Sequence, residues 1–515
     1  MSVPSLTRRA MLGGALSLAG AGLLPRVARG GADELDFASA LDAARAIRAG
    51  KVSSVELTNR MLARIAQHNG RLNAIVTLTA DTALSRARAA DAARARGEWW
   101  GPFHGVPVTI KDTYEVDGVR TTAGLVGLKD NVAPRDAVVV TRLKDAGAVV
   151  LGKTNVPPGA ADWQSYNPIF GQSNNPWDLG RTPGGSTGGG AAALAAGLCY
   201  LEPGSDLAGS IRIPAHFCGL YGHKPTLDLV PQRGHIPPPP GIPATPPSFL
   251  PVAGPLARSA ADLRAAMEVL GGPDEAETRG YRWALPPARG ARLRDYRIGY
   301  VLDHPQCAVS QEVGAPLAAA VEALRKAGAT LAEGWPPGVN PSEQYETYFF
   351  FLAALYTPPA RDEQLDELRR LASVRDGSPV SRWAAALTAD IRQFRAMDGR
   401  RRAARAAWSS YFRTHDAFLM PTAFVTAFPH DHSLNQLHRV LTTPAGLRPY
   451  LDLSFWIAFA SLAGLPATTA PVGRAQSGLP VGIQIVGPYL EDATPIDLAG
   501  RLTEIHGGFT PPPGF

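Results

Sequence analysis

Residues 136–155 read DAVVVTRLKDAGAVVLGKTN, a helical run, a glycine turn and then a short β-branched strand at 148–151. No internal repeat accompanies it, but there are further strands. VPVTIKD (106–112), RIGYVL (297–302), ATLAEG (329–334), DAFLMPT (416–422), LPATTAPV (465–472) and LPVGIQIVGP (479–488) read as strands. Helical stretches such as 313–327 and 496–505 separate them. Strands buried between helices argue for one α/β sandwich, although 515 residues would by length alone suggest about three domains. A hydrophobic share of 45% and a charged share of 19% supply an ordinary globular core.

Residues 36–96 are helical in pattern. Ser53 can cap a helix with Glu56 at its third position, and Leu57, Met61 and Ile65 then fall on one face. A second, Ala/Arg-rich helix follows. The proline-rich HIPPPPGIPATPP (235–247) cannot join a sheet ladder and reads as a polyproline-like surface loop. Residues 271–415 are mainly helical and the least patterned part, where variable substrate contacts are expected.

The formal charge of +6 invites a nucleic-acid reading until it is located. Arg8, Arg9, Arg26 and Arg29 lie in the first thirty residues, where there is no acid, and the remainder carries 47 basic against 45 acidic residues. No nucleic-acid footprint remains. Those first residues combine a twin arginine, an uncharged Ala/Gly/Leu stretch and small residues. They resemble a twin-arginine export signal, set at 1–32 ahead of a domain at 33–515, so a periplasmic or secreted protein is expected. The stretch is too short to span a bilayer, and stable membrane insertion is not expected. Cys199, Cys218 and Cys307 form neither a disulfide framework nor a zinc spacing, and neither metal nor cofactor is expected.

The stretch RTPGGSTGGGAAALAAG (181–197) contains Gly184-x-Ser186-x-Gly188, the letters of a nucleophile elbow. An elbow needs an entering strand, which NPWDLGRTP denies. A phosphate loop needs a lysine directly after its second glycine, and none occurs between Arg181 and Lys224. What remains is a glycine loop at a helix start, where backbone amides gather around one hydroxyl. By itself this reads as a tight turn with a capping serine.

Beyond that helix, GSDLAGSIRIPAHFCGLYGHKPT (204–226) carries Ser210 on another Gly/Ala turn, and GPFHGVPVTIKD (101–112) places Lys111 after an apolar run. With ELTNRMLARI, LNAIV, AGAVVLGKTN, NNPWDLGRTPGGS, AGLPATTAPVG and GLPVGIQIVGP, in that order, the chain resembles the amidase signature family of serine hydrolases over nearly its whole length. The resemblance implies a single large α/β domain with a central mixed β-sheet covered by helices on both faces. It also implies Ser210 as nucleophile, Lys111 as general base and Ser186 as bridging serine after a cis peptide bond.

That chemistry sets demands. A lysine titrating near 10.4 must be lowered by about three units to act near pH 7, roughly 4 kcal/mol of differential destabilisation, which burial can supply. A hydroxyl both donates and accepts, so Ser186 can relay a proton from Ser210 to Lys111. The backbone N–H groups of Leu207, Ala208 and Gly209, with that of Ser210, are expected to stabilise the oxyanion. Asp206 and Arg212 read as a structural ion pair bracing the turn. His104, His216, His223 and His235 have no acid partner at a telling spacing and read as core or loop histidines, with His104 placed to border the pocket.

Thr187, Ala208, Pro158 and Glu202 depart from the family pattern. A carboxylate at 202 is costly if buried without a partner. The function expected is hydrolysis of a small-molecule amide by water, with esters or carbamates as side substrates and a homodimer left open. The alternatives are a glutamine amidotransferase subunit of a tRNA-dependent complex and a catalytically silent binding protein.

Overall fold

A computed structural model describes residues 35–236, 249–355, 362–433 and 435–515. The expected export signal and the proline-rich stretch from residue 237 lie outside them. Helices α1 (Ala40–Arg48), α2 (Ser54–Leu72) and α3 (Ala80–Ala95) open the fold. The α2 start forms as read: Ser53 Oγ accepts from Glu56 N–H, and the Glu56 carboxylate accepts from Ser53 N–H.

The expected central mixed sheet forms, and beside it lie a three-stranded sheet and two two-stranded ladders. β1 (Ile75–Leu78), β2 (Pro107–Lys111) and β3 (Val149–Thr154) make a three-stranded sheet in the order β1-β3-β2, with β2 and β3 parallel. Helix α4 (Val138–Asp145) leads into β3, which runs on past the expected 148–151 as far as Thr154. Helix α5 (Gly188–Ala195) is buried on every side, as suits a helix of glycine, alanine and leucine.

The larger, eight-stranded sheet is mixed. Its strands are β4 (Leu201–Asp206), β5 (Tyr221–Lys224), β6 (Val252–Ala257), β7 (Arg297–Tyr300), β8 (Thr330–Glu333), β9 (Ala417–Pro421), β10 (Ala467–Arg474) and β11 (Pro480–Val486). They run in the order β8-β7-β9-β11-β10-β5-β6-β4, with β7 parallel to β8 and β9 and the other pairs antiparallel. β4, β5 and β6 carry Pro203, Gly204, His223, Lys224 and Pro255 and gave no strand pattern. β4 forms because it lies at an edge, where a proline removes no ladder donor that the sheet needs.

Helices α6 (Arg212–Cys218), α7 (Ala260–Leu270) and α8 (Gln311–Lys326) pack among these strands. Then α9 (Pro341–Leu355), α10 (Asp362–Ser373), α11 (Pro379–Leu387) and α12 (Ile391–Tyr411) form the helical region, and α13 (Phe455–Ala463) and α14 (Ala493–Ile505) finish the fold. Two apolar clusters result. One joins α1 to the sheets, and the other, rich in aromatic rings, joins α9, α12 and α13. Among the described residues, no helix is long and apolar enough to cross a membrane.

Candidate active site

Lys111 ends β2 and points away from solvent, with no exposed surface. Its Nζ lies 2.7 Å from Ser186 Oγ, 2.9 Å from Thr187 Oγ1 and 2.9 Å from Ser205 Oγ. An ammonium can donate to all three. A neutral amine donates to two and accepts from the third, because each hydroxyl can reverse its role, so the cage accommodates both protonation states. Burial pulls the Lys111 ammonium down to about 7, against the opposing pull of the Asp206 and Glu202 carboxylates.

Ser186 reaches the amine from the loop before α5, and the Gly185–Ser186 peptide bond is cis. The glycines behind it allow close approach: a Cβ at Gly189 would lie 2.4 Å from the Asn155 backbone nitrogen. Thr187 N–H donates to the Ser210 carbonyl at 3.2 Å, which brings the two serine turns together. No hydrogen bond between the Ser186 and Ser210 hydroxyls is found among the described residues, so the relay contact is not closed in this state.

Ser210 sits on the turn between β4 and α6, 7% exposed, whereas Ser186 is 1% exposed. Asp206 holds this turn. Its Oδ1 accepts from Gly209 N–H at 2.9 Å and Arg212 Nη2 at 2.8 Å, and its Oδ2 from Ile211 N–H at 3.1 Å and Arg212 Nε at 3.0 Å. Arg212 gives its remaining donors to the Ile457 carbonyl, Gln484 Oε1 and Ser461 Oγ, so all five are engaged. Burial alone would raise the Asp206 carboxyl, but the adjoining guanidinium holds it at about 2. This is the ion pair expected at the turn.

The amides expected to face an oxyanion do not all stand alike. Gly209 N–H already donates to Asp206. The Leu207 and Ala208 carbonyls are held by the Tyr348 hydroxyl at 3.3 Å and by Trp163 Nε1 at 2.6 Å. Leu207, Ala208 and Ser210 line a cavity of about 280 Å³ with Trp163, Leu352 and Trp383. Asp162 also borders it, but its carboxylate accepts from Arg439 Nη1 at 2.6 Å, the Tyr450 hydroxyl at 2.5 Å and the Tyr166 hydroxyl at 3.2 Å.

Sequence reading missed Thr187 and Ser205 as partners of Lys111; the only signal was that both are small hydroxyl residues beside the expected site. One histidine reading, that of His104, needs correction, and His223, a buried core residue as read, gains a partner. His223 does have an acid partner, Asp492 at 3.1 Å, invisible because 269 residues separate them. His104 does not line the cavity; it stacks on Trp99 at 4.2 Å, with Nε2 3.0 Å from the Ala90 carbonyl. His216 is a core residue, its ring nitrogens 3.1 Å from the Gly482 and Val425 carbonyls, and burial draws it down to about 4. The three cysteines are buried thiols.

A family model described as Amidase matches residues 56–495. The chain is 34% identical over 497 residues to the A subunit of the glutamyl-tRNA(Gln) amidotransferase of Moorella thermoacetica, covering 92% of this chain and 98% of that protein. A peptide amidase solved with the competitive inhibitor chymostatin superposes with a TM-score of 0.71 at 29% identity, over 93% of this chain and 99% of its own. A bacterial aryl acylamidase of the amidase signature enzymes superposes at 0.74 over 93% and 99%, and at 23% identity it bears on the fold alone.

Proposed function

The chain belongs to the amidase signature family of hydrolases acting on C–N bonds, and on that premise we propose that it hydrolyses uncharged carboxamides through a Ser210 acyl-enzyme. The observation that carries this reading is a fully buried amine, held near neutrality and bonded to Ser186, beneath a serine that opens into a cavity. Neutral Lys111 takes a proton through Ser186 as Ser210 Oγ adds to the amide carbon. The carbonyl π electrons move to oxygen, and the backbone amides of Leu207, Ala208 and Ser210 stabilise that oxyanion. Because the Gly209 amide is engaged by Asp206, it contributes least. The C–N bond then breaks as the proton returns through Ser186 to the departing nitrogen. Water repeats the addition on the ester, releasing carboxylate and restoring Ser210.

The amidotransferase relatives suggest a second reading, release of ammonia from glutamine for a partner enzyme. Free glutamine brings an ammonium and a carboxylate that need counter-charges. Among the described lining residues the one charged side chain, Asp162, is already neutralised by Arg439. This favours uncharged amides. Purified enzyme should release amine from anilides and simple carboxamides at least ten times faster than ammonia from glutamine, and the reverse order would refute the proposal.

A further inference from the structure

Glu202, on β4, has no exposed surface, and the proposed reaction gives it no part. Thr109 and Lys111 lie two residues apart on β2 and so share one face, and Thr154 stands beside Lys111 in the parallel β2–β3 register. The carboxyl of Glu202 is set against that face. Its Oε1 accepts from Thr154 Oγ1 at 2.5 Å, and its Oε2 has no hydrogen-bond partner among the described residues. Space for it is built into α5, because a Cβ at Gly190 would fall 2.5 Å from its Cγ, Cδ and Oε1. Two cations act on it. Lys153 is already bonded to Asp112 at 3.0 Å, which leaves Lys111 as the cation without a carboxylate of its own.

We propose that Glu202 is a positioning residue that sets the proton affinity of Lys111, so that acid and amine titrate as a pair and the pair fixes the pH at which the base is released. This rests on the amidase reading above. Three neighbouring ionisable groups do not titrate in its range. Burial pushes the Tyr114 hydroxyl well above its usual value and the Cys199 thiol up to about 12, while burial and the nearby Lys111 charge draw His235 down to about 3. Asp206 is held ionised by Arg212, while burial draws Lys153 down against the pull of Asp112, to which it is bonded at 3.0 Å. Burial brings Glu202 itself up to about 7, where Lys111 also lies.

The sign follows from charge. An ionised Glu202 favours the ammonium, so Glu202→Gln, which keeps an acceptor for Thr154, should free the base at lower pH. The acid limb of kcat/KM should move down by roughly one pH unit, and Glu202→Asp should move it back toward the wild-type position. An unshifted limb in folded Glu202→Gln overturns the inference. If that variant does not fold, wild-type protein decides by infrared spectroscopy: a carboxylic-acid band absent from Glu202→Asp must fade as the pH rises through about 7. A band already absent at pH 5 refutes the coupling. Ser210→Ala separates the two claims. Retained turnover there sinks the amidase reading, whereas loss of turnover with an unshifted Glu202→Gln limb sinks this inference alone.

Discussion

Below Ser210, the side chains of Lys111, Ser186, Thr187 and Ser205 are polar, at most 6% exposed and joined by hydrogen bonds to named partners. Across the cavity, Leu352 of α9, Trp383 of α11, Leu437 and Leu451 present mostly carbon. A polar group buried in the floor needs its own partner, and replacing one strands the other. Apolar contacts in the roof are interchangeable among side chains of similar volume. In the proposed reaction the floor carries the chemistry and the roof meets the substrate.

Five substitutions probe that division. Ser210→Ala should lower amide turnover by on the order of 10⁴-fold or more with the melting temperature unchanged, measured by amine release and calorimetry. Near-normal turnover would break the assignment.

Lys111→Met should cost on the order of 10³-fold in kcat/KM, and the wild-type rate should climb as pH rises through about 7. Its effect on stability runs the other way. Lys111 is lowered on folding, so the unfolded chain binds more protons between about 7 and 10.5, and wild-type stability should rise with pH across that window. The methionine variant should lack that contribution to the rise, while stranding the three hydroxyls that Lys111 bonds.

Asp206→Asn leaves the Arg212 charge buried without its partner and should destabilise the fold by about 3–5 kcal/mol in denaturant titration. In wild type, the stability supplied by Asp206 is present above the ordinary aspartate range and fades as pH falls toward about 2. Trp383→Ala, in the roof, should raise KM for bulky apolar amides about tenfold, leaving kcat and the acid limb within about twofold. An altered acid limb would show that roof and floor are not separable. Arg369→Ala removes an exposed ion pair with Asp366 on α10 and should change stability by less than about 0.5 kcal/mol.

The same division explains what could be read from the sequence. The cap at Ser53, the β2 run ending at Lys111 and the two serine turns are local patterns of residue type, and each lies where its pattern places it. β4 escaped because Pro203 and Gly204 suppress a strand signal that an edge position does not require. Ser205 becomes a partner of Lys111 through the packing of one sheet on another. Asp162 and Arg439 meet across 277 residues, a distance at which periodicity carries no information. Glu202 was expected to find a partner, and Thr154 answers for one of its two oxygens.

The guanidinium of Arg212 clasps the Ser210 turn to residues 457, 461 and 484, all contributed late in the chain. During synthesis Ser210 emerges long before those anchors do. A ribosome-bound fragment ending before α13 therefore holds Ser210 without the three acceptors that anchor its turn through Arg212.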